Sequence, residues 1–424
     1  MKTVRIAVIA AHQGVVGGAE TYIARLLAAF LARGHQIAFA FELASQPERA
    51  ADRGLEDVER WDLRAMTRTA FLERLAGFDP DIIFLQGAQD AALDLELTRR
   101  FCTVLFAHAF YGTCATGWRV HRIPQRQTCT RRFGAACLPI NYLRGCGARN
   151  PIQLLNLYAN QRSRAKVLEG LAATVVASEY MRQVYVEHGA LDGEVHVLPY
   201  PAEGVPDRAP PPPSQSYNRV LFLGRLTSGK GCARAVQATA RCQRALGRAL
   251  HLTVAGDGPE LVRSQRFAKR LGVETNFVGW VGPDRRLELL READVLIVPS
   301  LWPEPFGMVG IEAASVGLPA VAYAVGGIVD WLRPGQTGEL ADGTGFELRP
   351  LAAALERALR DAAHHRQLQL GAWRMAHEFG LDRHFSRLEK LFFELSTRGA
   401  RRFSSGPGVS PSSSPNAPNS TTGP

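Results

Sequence analysis

No stretch of this 424-residue sequence is apolar over the ~20 residues needed to cross a bilayer; runs such as LLAAFLA at 26–32 fall far short. The expectation is a chain that does not span a membrane. The apolar run Ile6–Ala11 is also shorter than the ~7–15 residues of a secretory signal core, and it reads as a buried first strand. Cysteine is scarce: seven residues, an odd number, with no C-x-x-C pair, which is poor material for a secreted disulfide framework. The expected compartment is the cytoplasm. No solenoid-period repeat is present, and between Leu97 and Leu168 there is no acidic residue at all.

Hydrophobic residues make up 46% and charged residues 21%, which is ordinary globular usage and excludes a wholly disordered or fibrous chain. The length implies two or three domains. The net charge of +10 is unevenly placed. Residues 1–96 carry 10 cations and 14 anions, 169–424 carry 28 and 26, and 97–168 carry 12 cations and none of the opposite sign. The excess is one local basic surface, which points to an anionic partner or membrane face.

Strand-like runs alternate with amphipathic helix-length segments: VRIAVIA, a helix over 22–33, QIAFAF, then DIIFLQ, CTVLFAH and ATVVAS. That alternation predicts βαβ units on a parallel sheet. GVPDRAPPPPSQSYN at 204–218 interrupts it as an extended linker. The alternation restarts with RVLFLGRL, LHLTVAGDG, TNFVGWV, DVLIVPS and PAVAYAV, separated by helices over 231–246, 259–271, 283–291 and 306–316. The fold class is therefore α/β, two Rossmann-like doubly wound parallel sheets in tandem, over 1–203 and 219–380. A helix over 381–398 is expected to pack back on the first domain, and 399–424 is expected to be a disordered tail.

Ligands of such sheets bind where strand ends meet helix N-termini. Pro299-Ser-Leu-Trp-Pro-Glu304-Pro-Phe-Gly307-Met308-Val309-Gly-Ile-Glu312 follows a strand and opens a helix. With Pro305 in the first turn and Gly307 leaving amides accessible, a diphosphate could sit on the helix terminus, bracketed by two carboxylates. Leu223-Gly224-Arg225-Leu-Thr-Ser-Gly-Lys230-Gly is a glycine-rich loop with two cations able to clamp the same anion. Read as structure alone, Glu304 is a cap acid, Glu312 a solvated helix residue, and the loop an ordinary strand-to-helix turn.

Together these stretches resemble the E-x-seven-E signature and the GR-x-x-x-x-KG loop of retaining glycosyltransferases of family 4, which have the GT-B fold. The resemblance implies that Glu304 faces the donor sugar and Glu312 the ribose, with Arg225 and Lys230 on the diphosphate. Gly256, in the turn VAGDGPE, and Gly224 join the amides of Gly307, Met308 and Val309 as donor-side positions. Gly17 and Gly18 resemble the family's GGAE loop on the opposite wall, and His108 its histidine at the sugar-binding wall, a hydrogen-bond donor there. The family more often has Glu at the position of Asp330. No cofactor or metal is implied. The partners are a nucleotide sugar and a hydroxyl acceptor, including a lipid-linked one, with the 97–168 segment on an anionic membrane surface and no nucleic acid.

Rival readings remain. Gly14 to Gly18 followed by Glu42 imitates a dinucleotide fingerprint but lacks G-x-G-x-x-G spacing. Asp79-Pro-Asp81, the one D-x-D of a metal-dependent enzyme, precedes a strand and reads as a turn cap. Cys114, His121, Cys129, Cys137 and Cys146 match no common zinc or iron–sulfur spacing and read as loop thiols, their clustering unexplained. A sugar-nucleotide epimerase of the same architecture and a non-catalytic anion-binding protein are the alternatives in function.

Overall fold

The computed structural model describes residues 3–14, 17–44, 58–87, 89–202 and 210–404, with side chains through residue 398. The first domain contains β1 (Arg5–His12), β2 (Gln36–Leu43), β3 (Glu59–Asp62), β4 (Ile82–Gln86), β5 (Thr103–Ala107), a two-residue hairpin of β6 (Val120–His121) and β7 (Gln127–Thr128), then β8 (Ala173–Val176) and β9 (Val195–Val197). The hairpin apart, these form one parallel sheet in the order β3-β2-β1-β4-β5-β8-β9. Parallel neighbours need crossovers and bury both faces, and Ile6 to Ala10 on β1 are accordingly all buried. The second domain repeats the plan with β10 (Arg219–Leu223), β11 (His251–Ala255), β12 (Glu274–Gly279), β13 (Val295–Val298), β14 (Ala320–Tyr323) and β15 (Gly338–Ala341), ordered β12-β11-β10-β13-β14-β15. The α/β class with two doubly wound parallel sheets is the one expected.

The last helix, Leu381–Ser404, returns to the first domain. Its Phe392 lies 4.9 Å from Phe84 and 5.8 Å from Phe30, and Phe385 lies 6.0 Å from Phe30, ring centre to ring centre. Each fully buried Phe or Leu adds roughly 1.5–3 kcal/mol. Polar contacts fix the helix's register: His384 joins Tyr22 Oη (2.9 Å) to Pro199 O (2.8 Å), and His35 Nε2 meets Glu389 (2.9 Å). Beside it, Ala202 N donates to Phe379 O at 2.7 Å, so the chain's two passages between the domains touch.

Several boundaries differ from the sequence reading. The first helix begins at Gly18, four residues before the expected Tyr22. The helix after β13 begins at Met308, because Gly307 at φ +90° is left-handed and stops any extension towards Pro305. Pro305 is therefore outside the helix, and Glu304 and Glu312 do not share one. The last helix runs to Ser404, six residues into the expected tail. The remainder of that tail, and 203–209 of the expected linker, lie outside the described residues.

Candidate functional site

Each sheet reverses its strand order at one place, between β1 and β4 and between β10 and β13, and the chemistry-bearing loops leave from there. The loop after β10 and the loop after β13 touch backbone to backbone. Leu301 N donates to Gly229 O at 2.7 Å, and a Cβ on Gly231, at φ +74°, would stand 2.1 Å from Pro299 O. Gly256 is fixed similarly, since its Cβ would meet Gly224 O at 2.0 Å. Gly224 and Gly256 thus hold the ends of β10 and β11 together.

Glu304 is 3% exposed. Its Oε1 accepts from Ser300 Oγ (2.5 Å) and Trp302 Nε1 (2.9 Å), and Lys230 Nζ donates to both oxygens (2.8 and 3.0 Å). Three donors compensate the burial of the carboxylate. Lys230 keeps part of its surface open and sits 5.8 Å from the Trp302 ring centre. Glu312, five positions into the helix Met308–Ser315, is bound through both oxygens by Arg286 Nη1 (2.9 and 3.1 Å). Arg225 is exposed. The first-turn amides of Met308 and Val309 have no intrahelical acceptor. The helix start is held rigidly by Trp331, whose Nε1 donates to Phe306 O (2.7 Å) and whose ring a Cβ on Gly310 would overlap at 2.0 Å.

Gly17 caps the first helix, and a Cβ on Gly18 would lie 3.1 Å from Met308 Sδ, so the first domain's glycine loop closes on the second domain's helix start. His108 has another occupation than the expected donation to a sugar. Burial drives its pKa down to about 3, so the ring is neutral with one N–H. Nε2 is 2.7 Å from Gln86 Oε1, an acceptor, and Nδ1 takes a short hydrogen bond from Tyr200 Oη. The one N–H is spent on Gln86. The ring remains on the wall of a cavity of about 270 Å³, with Glu20, Tyr111 and Arg164. That cavity shares Gln89 and Arg164 with a groove of about 640 Å³ lined by Asn150, Gln153, Asn156 and Asn160. Near it, burial raises the Asp94 pKa to about 7, against the pull of Arg164.

The rival site residues are otherwise employed. Glu42 accepts from Gln89 N (2.9 and 2.8 Å) and Asp90 N (2.9 Å). Asp79 and Asp81 accept from the Arg5 side chain and amide (2.6 and 2.8 Å). Asp330 accepts from Glu179 N across the domain boundary at 2.7 Å, and Ser178 Oγ donates to Pro305 O at 2.6 Å. Sequence reasoning missed Ser300, Trp302 and Arg286, although Ser300 and Trp302 stand inside the glutamate stretch. It also missed the brace from the basic segment. Trp118 packs edge-on at 5.2 Å against Trp302, and Arg126 Nη1 donates to Ser228 O at 3.0 Å.

Two family models match the chain, one described as Glycosyltransferase Family 4 over residues 16–202 and one as Glycosyl transferases group 1 over 206–372. A glycogen synthase of Mycobacterium tuberculosis is 34% identical over 163 residues, 38% of each chain. A 2-deoxystreptamine glucosyltransferase of Streptomyces kanamyceticus is 32% identical over 234 residues, 49% of this chain and 54% of that one. The chain thus spans less than two thirds of these curated relatives. Among solved structures, Anabaena HepE in complex with UDP-glucose superposes with a TM-score of 0.64 over 94% of this chain and 99% of its own, at 17% identity.

Proposed function

Because the chain belongs to the glycosyltransferases of family 4, with the GT-B fold, we propose that it moves a sugar from a nucleotide diphosphate to a hydroxyl acceptor with retention of configuration. One observation carries this reading: the Lys230–Glu304 pair lies in the junction of two strand-end loops, beside a glycine-opened helix start that the opposite domain closes with Gly18. The donor's C1–O bond breaks with its electron pair going to the diphosphate. The acceptor oxygen bonds C1 from the same face and passes its proton to the departing oxygen. Arg225, the free N–H of Lys230 and the amides of Met308 and Val309 stabilise the leaving diphosphate without a metal. Glu304 serves the donor sugar and the Glu312–Arg286 pair the ribose end.

The acceptor enters through the cavity beside Glu20 and Arg164. The protein works in cell-surface polysaccharide or glycolipid synthesis, in the cytoplasm and at the inner face of the membrane. Arg122, Arg131, Arg132, Arg144 and Arg149 are exposed, as are Ile123, Tyr142 and Leu143 beside them, a mixture that suits an anionic bilayer surface at ~1 kcal/mol per cation. No helix among the described residues is long and apolar enough to cross a membrane.

A panel of UDP-, GDP- and ADP-sugars is screened by thermal stabilisation, since a bound ligand raises Tm by mass action, and the product's anomeric configuration is then read by NMR. One donor that stabilises the protein and yields a product of retained configuration supports the reading. Sugar interconversion without an acceptor would establish the epimerase instead, and no response to any donor the anion-binding protein.

A further inference from the structure

The segment between Gly112 and Asn150 has little regular structure and little apolar core of its own, and is held mainly by hydrogen bonds between its loops, such as Arg122 N to Arg144 O at 2.7 Å and Cys129 N to Arg119 O at 2.7 Å. Its regular structure is the two-residue hairpin strands and the helix Cys137–Arg144. Ala115 and Ala148, with Leu154 beyond it, form a small buried cluster separate from the main core. Yet the segment braces the site, through Trp118 on Trp302 and Arg126 on the Ser228 carbonyl. A stretch with so little apolar core of its own is one where a bound ion between its loops would add most to the order of the segment.

Cys114, Cys129, Cys137 and Cys146 are spread over 33 positions of sequence, but the fold brings all four to the wall of a single cavity of about 30 Å³, together with His121. None is in a disulfide. A void of that size has room for one ion or one water. Polar groups reach two of the sulfurs: Arg119 N donates to Cys114 Sγ at 3.4 Å, and His121 Nδ1 stands 3.5 Å from Cys146 Sγ. Four thiolates on a divalent ion carry a charge of −2, and this acid-free segment surrounds them with Arg122, Arg131 and Arg144.

We propose that these four cysteines bind one structural zinc ion, with His121 as an outer N–H donor to Cys146. Four thiolates and no open position suit zinc at ~2.3 Å. Binding exchanges up to four thiol protons for the ion. As the side chains stand, no group of three donors among the described residues is set to hold a metal ion, so the cage closes by rotation of the cysteines into the cavity they line. The ion locks the hairpin to the helix and, through Trp118 and Arg126, steadies the loops that carry Lys230 and Glu304. That last consequence rests on the transferase reading; the metal site does not.

The full chain, expressed in zinc-supplemented medium and purified without chelator or affinity tag, is assayed for zinc by elemental mass spectrometry. One zinc per chain is expected, and Cys129→Ser/Cys137→Ser should lose it. Exchange into cobalt(II) should give sulfur-to-cobalt charge-transfer absorption and the intense visible bands of a tetrahedral site. Wild-type protein with neither zinc nor those bands, or with a disulfide between any two of the four sulfurs, would overturn the proposal even if the variant fails to fold. Both readouts need no sugar donor, so a zinc-loaded but inactive protein counts against the transferase reading alone.

Discussion

Lys230 and Arg225 lie in one loop, but removing them has different consequences. Lys230 neutralises a carboxylate that is nearly out of contact with solvent, so Lys230→Ala leaves Glu304 with only Ser300 and Trp302 and should cost about 2 kcal/mol of stability as well as turnover. Arg225 is exposed, and Arg225→Ala should stay within about 0.5 kcal/mol of wild type while lowering kcat at least tenfold. Urea denaturation and steady-state kinetics on both variants separate the effects, and wild-type turnover in the double variant would sink the diphosphate role of the loop. Asp94 offers a second contrast. Burial lifts its pKa to about 7 and its Oδ1 has no hydrogen-bond partner. The folded state therefore holds a proton between the ordinary carboxylate pKa and about 7, and that stability is lost as pH rises through this range. Asp94→Asn should raise Tm most near pH 8.5, less near pH 5, and leave it almost unchanged near pH 3, below the ordinary carboxylate pKa.

The helix opened by Gly307 shows how far sequence signals reach at the scale of one element. The stretch of glutamates, glycine and proline was legible as a strand-end loop and helix start because those residue types restrict the backbone locally. The exact start was not, because it depends on Gly307 turning left-handed under Trp331, a residue 24 positions away. Gly310→Ala would drive a methyl into that ring, at 2.0 Å from its edge, and should cost about 1–3 kcal/mol or more, visible as a lower urea midpoint with an unchanged slope. Strands β3 and β9 were missed for a related reason. ERWD holds one apolar residue, Trp61, and VHV is three residues long; at a sheet margin, pairing supplies what local pattern does not. His108 was found by position but not by role, since Tyr200, 92 residues on, and Gln86 decide what its nitrogens do.

For the whole molecule, buried neutral histidines set the acid limit. Burial holds His108 at about 3 and His384, between the last helix and the first domain, at about 4. Below pH ~6.5 the unfolded chain takes up protons that the folded chain refuses, so stability falls with acidification, by at most ~1.4 kcal/mol per pH unit for each group, until those lower values are reached. Asp94 acts in the opposite sense over part of that range, and two groups outweigh one. Tm recorded from pH 7 to 4 should decline, and His108→Gln/His384→Gln should flatten the slope.

Because Ala202 and Phe379 are joined where the chain passes from one half to the other and back, the halves share a double-stranded pivot, flanked by Phe306 against Tyr200 and Phe379. A rotation of one half against the other about that joint would move the contact between Gly18 and Met308 more than any contact beside the joint, so that contact is the place to read any opening of the two halves.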